Sequence, residues 1–258
     1  MRGGTPGFFA ATLTVAALFC LAGYQVTSAT AAPRLLSRLG VAIVELDRWL
    51  PNHTDDVQLL ARDRPQGTVR LADLPVSVTL PASRVVGADL PTLRSLVYQE
   101  MGRTLYGDGN GAFRDREGNP RKPAITEPVR WTVVLLGKGA HNFWKAALPV
   151  SLLLAVAATA GVLMGGRSPL LSLAGGSVFA TLSCIAVWLL ADAASGLFGS
   201  AVDKETLLIL RDGTLIGLRD SLAVALVTLS TLVLLMTFGR DRLPFRTSTQ
   251  RPPDAPSV

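Results

Sequence analysis

The chain has 258 residues, 49% of them hydrophobic and only 17% charged. Soluble domains of this length carry about a quarter charged residues, and here the apolar residues gather in long charge-free runs, the pattern of a chain solvated by lipid. The net charge of +6 comes without a basic helical stripe or an interleaved aromatic and basic motif. It therefore suits anionic lipid head groups and argues against a nucleic-acid partner.

Residues 1–32 hold the first hydrophobic run, Gly7 to Val26. Arg2 precedes it, and Ala29-Thr30-Ala31 follows it with the small-x-small spacing of a signal-peptidase site. The run exceeds the usual length of a signal's apolar stretch, so an uncleaved transmembrane anchor is favoured over a cleaved signal. Cleavage would leave three spans instead of four.

Residues 33–142 are polar enough, and long enough, for a small folded domain. Leu35, Leu36, Leu39, Ile43, Leu46 and Leu50 recur at three- and four-residue steps, which predicts one helix ended by Pro51-Asn52. The alternation in Val76-Ser77-Val78-Thr79-Leu80 predicts a strand. Asp89 and Pro91 open a second helix that carries Leu93, Leu96, Val97, Met101 and Leu105 on one face, with Gly107 past its end. Arg114 to Lys122 reads as a loop, and Trp131 to Leu136 as a second strand. The expectation is a small α+β domain.

Residues 143–238 predict a three-helix transmembrane region, with runs at Ala146–Met164, Pro169–Leu190 and Ser221–Phe238. None of the four runs contains Asp, Glu, Lys, Arg or His. Phe143, Trp144 and Lys145 mark one boundary, Trp188 and Asp192 another, and Asp220 with Ser221 caps the last helix. Pro149 is placed to kink or delay the second helix.

Two helices carry small residues at every fourth position: Ala157, Gly161 and Gly165 in one, and Ser172, Gly176, Ala180 and Cys184 in the other. Such spacing aligns them on one face, where small side chains let helix backbones approach in lipid. The short linker Gly165 to Ser168 makes the two helices antiparallel neighbours, so the stripes are expected to face each other. Residues 193–220 read as a loop with a hairpin turning at Asp212-Gly213, or else as an interfacial helix. The proline-bearing tail, residues 239–258, reads as disordered.

Orientation follows from the basic leader, which stays inside while the next domain is exported. That puts the large domain and the 193–220 loop outside the cytoplasm, with Arg167 and the tail arginines Arg240, Arg242, Arg246 and Arg251 inside. The preference for Arg over Lys, which occurs only at Lys122, Lys138, Lys145 and Lys204, points to a GC-rich bacterial genome.

Chemistry-bearing patterns are sparse. Cys20 and Cys184 lie in apolar runs and read as packing residues. His53 and His141 are far apart, without metal-ligand spacing. Asp108-Gly109-Asn110-Gly111 begins like a calcium loop, but Ala112 and Phe113 break the pattern, leaving a tight turn. Asn52-His53-Thr54 is a formal glycosylation sequon, and Asp55 with Asp56 reads as a solvated pair. Nucleophile elbows, phosphate loops and dinucleotide fingerprints are missing, so no catalytic residue, metal or cofactor is expected. Without ionisable groups at membrane depth, transport by this chain alone is disfavoured. The expected function is that of a non-enzymatic multi-pass membrane protein, bound to the lipid bilayer and to a protein partner in a membrane complex. An extracytoplasmic sensor or small-ligand-binding module is the alternative, and an enzyme at the outer membrane face a third.

Overall fold

The computed structural model describes residues 5–71, 74–114, 126–165, 168–197 and 200–238. Charge-free sequence forms α1 (Thr5–Val26). The leucine-spaced segment that follows forms two helices, α2 (Ala32–Val44) and α3 (Leu46–Asp63), instead of one. The break falls at Glu45, whose φ of 49° is left-handed and whose N–H reaches back to the Val41 carbonyl. Pro51 does not end the helix; it is exposed in the second turn of α3. Once the chain has turned at Glu45, Pro51 falls near the start of a fresh helix, where its missing N–H leaves a single carbonyl without an intrahelical partner. The sequon therefore lies within a helix, with Asn52 donating to the Arg48 carbonyl and Thr54 to the Leu50 carbonyl.

Strand β1 (Thr68–Leu71) pairs antiparallel with β2 (Val78–Pro81), with Val69 opposite Leu80 and Leu71 opposite Val78. These four residues point inward, and the intervening Arg70 and Thr79 do not. A short helix α4 (Ala82–Val85) leads to α5 (Leu90–Asp108). Asp89 caps α5 by accepting a 3.0 Å hydrogen bond from the Thr92 N–H, and Pro91 sits in the first turn, where its ring costs nothing. A 3-10 turn, Gly109–Phe113, replaces any calcium-loop geometry.

Trp131 to Leu136, expected as a strand, belongs to helix α6 (Glu127–Leu136). Val129, Val133 and Leu136 recur at helical spacing and are the residues α6 buries. An uninterrupted apolar hexad satisfies both periods, and the Glu127-Pro128 start favours the helix. Among the described residues the sheet is thus one hairpin of two four-residue strands, and the α+β expectation gives way to a helical domain carrying that hairpin. Its core is built from α2, α3, α5 and the hairpin, with Leu36, Leu39, Leu46, Leu93, Val97, Met101 and Leu105 sealed from solvent. Gly102 makes the closest approach: a Cβ there would collide with the Pro33 carbonyl, so α5 can lie against the start of α2 only with glycine at this point.

Three long helices follow among the described residues: α7 (Lys138–Met164), α8 (Pro169–Ser195) and α9 (Ala201–Phe238). Together with α1 they make four helices long and apolar enough to cross a membrane. Pro149 lies inside α7, as its twelfth residue. The expected hairpin over residues 206–218 is absent, because α9 is helical throughout. A two-residue hairpin turn needs positive φ at its centre, and neither Asp212 nor Gly213 has it. Asp220 and Ser221 accordingly lie mid-helix and cap nothing.

α1 is the hub of the bundle, with α7 along one flank and the α8–α9 pair along the other. Gly7 meets Ser172 and Ala11 meets Gly176, so α1 and α8 run in the same direction; Gly23 meets Trp144, so α7 runs the other way. The domain, the end of α8 and the start of α9 therefore share one end of the bundle. Large apolar side chains such as Leu153, Val156, Met164, Phe179, Leu190 and Val227 project outward. Exposure of this kind is tolerated in lipid and strongly disfavoured in water.

Candidate functional site

Where the domain meets the bundle, a cleft of about 360 Å³ opens between α7 and α9. Its floor is the last two turns of α1, lined by Ala22, Gly23 and Val26. Trp144 of α7 forms one wall and stacks edge-on against Phe19, with ring centroids 5.5 Å apart. Leu207, Leu210, Gly213 and Gly217 of α9 form the other wall, while Leu135 and Leu136 of α6 roof the space. The cleft exists because α7 and α9 each pack on α1 and not extensively on each other.

The hydroxyls lining the cleft are already engaged as donors. The hydroxyls of Thr27, Thr132, Thr206 and Thr214 donate to Gly23, Pro128, Val202 and Arg211 carbonyls at 2.7, 2.9, 2.9 and 2.7 Å. Back-bonding of this kind satisfies a hydroxyl within its own helix. What the cleft offers a ligand is consequently hydrocarbon surface.

Polar groups cluster around the cleft rather than in it. Gln25 of α1 donates to Asp220 at 2.6 Å and accepts from Arg219 at 3.2 Å. The Tyr24 ring stacks on His141 at 4.9 Å, and His141 Nδ1 lies 3.3 Å from the Thr27 hydroxyl. That hydroxyl also lies 2.7 Å from the Gly23 carbonyl, so a hydrogen on Nδ1 lets both contacts form at once. Above them, Arg38 of α2 holds Glu205 at 2.7 Å and Asp212 at 2.6 Å, and Arg211 reaches Asp212 at 3.2 Å and Asp192 at 2.9 Å. This chain of charges clips α2, α9 and α8 together. Partial burial works against the Arg38 charge, but the Asp212 hydrogen bond and the Glu205 carboxylate outweigh it and hold the guanidinium above its ordinary value.

The two small-residue stripes do not meet. Ala157, Gly161 and Gly165 lie on the exposed face of α7, and a Cβ on Gly161 would touch nothing within 4 Å. Gly176 and Ala180 are buried and Ser172 and Cys184 half-buried, but their neighbours are α1 and α9. A Cβ on Gly176 would come within 2.7 Å of the Ala11 carbonyl, and Cys184 Sγ lies against Gly217. α7 turns a different face inward, with Ser151, Ala155 and Val162 buried. Ser151 and Ala155 have the same four-residue spacing as the stripe chosen from sequence, so that signal was present but degenerate. α1 takes the place between α7 and α8 that the short linker suggested they would share.

His141 bridges α7 and α1, whereas His53 stacks on Trp49 at 4.4 Å on α3. Asp55 and Asp56 are exposed. Cys20 and Cys184 are free and half-buried. No cluster of three His, Cys, Asp or Glu suited to a metal occurs among the described residues. The linker residues Gly166 and Arg167, the 115–122 part of the Arg114 to Lys122 loop and the 239–258 tail lie outside the described residues.

The four long apolar helices give the chain the make-up of a membrane protein. No protein-family model matches it, and neither a curated protein nor a solved structure shows significant similarity to it.

Proposed function

We propose that the protein is a non-enzymatic, multi-pass component of a membrane complex, and that its 33–142 domain docks a protein partner on the extracytoplasmic side. The observation that carries this reading is the exposed apolar surface of the domain away from the bundle. Leu59 and Leu60 of α3 are 60% and 51% exposed, and Val86 and Leu90, on either side of α5's start, are 43% and 41% exposed. Gln58 ties the two regions together by donating to the Ala88 carbonyl at 2.8 Å. Apolar surface concentrated in this way, outside the spans, is characteristic of sites that bind protein. An apolar, internally satisfied cleft at the junction supports the same reading over an enzyme or a sensor of polar ligands, which needs convergent free polar groups. Orientation rests on the basic leader and the arginines at residues 167 and 240–251, and bacterial origin on arginine usage.

The test places a photo-crosslinking amino acid at Leu59 or Leu90 in the full-length chain in its native membranes. The expected result is a discrete crosslinked species, a native complex larger than the monomer after gentle solubilisation, and loss of both in Leu59→Asp and Leu90→Asp. A crosslink-free monomer in native membranes defeats the reading. Asp55→Cys labelled by an impermeant maleimide in intact cells checks the orientation.

A further inference from the structure

We propose that the cleft between α7 and α9 is a binding site for one acyl chain of a membrane lipid. This goes beyond the partner-docking reading and uses a different part of the molecule; it rests only on the four helices being spans. The cleft begins at the level of Phe19, inside the apolar run of α1, and of Trp144, at the boundary of the apolar run of α7, and rises beneath α6. A space at that position cannot remain empty without its walls losing contacts. Water is a poor occupant, because a buried water needs two to four polar partners, the lining is mostly hydrocarbon, and the four lining hydroxyls each give their one hydrogen to their own helix. With the four helices as spans, the Phe19 end of the cleft opens toward hydrocarbon, and the walls are aromatic and aliphatic.

The cleft's volume of about 360 Å³ lies within the range of about 300–1,000 Å³ typical of small-molecule sites. Gly213 keeps the space open: a Cβ there would meet only the Val26 methyls, at 3.5 and 3.9 Å, in ordinary contact. A longer side chain at this position would enter the cleft. α6 supplies the exit, since Trp131, Val134 and Leu135 on its outer face are exposed and lie where a bilayer's interfacial aromatic belt would be.

The full chain is reconstituted in vesicles of phosphatidylethanolamine containing a trace of the same lipid with a diazirine in its acyl chain, irradiated, and its adducts mapped by peptide mass spectrometry. Adducts on the Phe19–Val26 and Leu207–Gly217 segments should exceed those on the outward-facing Leu152–Val156 segment several-fold. Gly213→Leu should reduce them several-fold and Gly161→Leu should not. Thr214→Leu adds bulk in the same place without orphaning a partner and decides the matter if Gly213→Leu does not fold. Uniform labelling over all three segments overturns the proposal, as does wild-type labelling in folded Thr214→Leu. Labelling in vesicles of the pure chain that disappears in native membranes also overturns it, by showing a protein occupant there.

Discussion

The domain and the bundle bury opposite kinds of residue. In the domain the sealed side chains are large: Leu36, Leu39, Leu46, Leu93, Met101 and Leu105. In the bundle they are small or hydroxylated, such as Ala10, Thr14, Ser177, Ala180, Ala225 and Thr228, while Leu153, Phe179 and Val227 face outward. Water expels apolar area in proportion to its size, so it drives the largest side chains inward. Lipid has no such preference, and helices associate by close backbone contact, for which a small residue is the better choice. One chain thus obeys two packing rules, and the change occurs near Thr27 and His141.

The largest effect that should follow from this difference is in the domain. Leu39→Ala removes a fully buried side chain and should cost about 2–5 kcal/mol, read as a lower denaturation midpoint of the full chain in detergent. In the bundle the sensitive change is the reverse, small to large. Gly176→Leu drives a side chain into the Ala11 backbone and should cost about 1–3 kcal/mol, whereas Gly161→Leu, with open space before it, should stay within about 0.5 kcal/mol of wild type. Equal responses at Gly161 and Gly176 would break the comparison.

A smaller effect is expected at the clip between the regions. Arg38→Met strands Glu205 and leaves Asp212 to Arg211 alone, and its cost, about 1 kcal/mol for a partly exposed pair, should shrink in high salt. Smallest is the α5 cap. The Thr92 hydrogen bonds hold the exposed Asp89 carboxyl below its ordinary value. A depressed carboxylate stabilises the fold above its unfolded value near 3.8 and loses that contribution as pH falls through the folded one. Asp89→Ala should therefore flatten the acid limb of stability below about pH 4 and leave its neutral-pH shape unchanged.

Much of this architecture was legible because it is additive along the chain. Four apolar runs, the Asp89-Pro91 start of α5 and the inward alternation of Val78 and Leu80 each depend on neighbouring residues alone. A stretch of some twenty residues without charge leaves lipid as the favourable solvent, whatever the rest of the chain does. The candidate cleft was not legible, since its lining comes from residues 19 to 217, on helices whose adjacency no periodicity reveals.

Tertiary structure decided the matters in which local signals were degenerate. Residues 131–136 and 206–218 fit a strand or a helix by pattern, and packing against the domain core and against α1 and α8 settled both as helix. Small residues marked two faces of α7, and contact with α1 selected Ser151 and Ala155 over Ala157 and Gly161. Gln25 and Asp220 are 195 positions apart, and only the packing of α1 beside α9 makes them partners. The sequence by itself determined which segments leave water. Which surfaces then meet depends on shape in three dimensions, because in lipid close fit replaces hydrophobicity as the force that brings helices together.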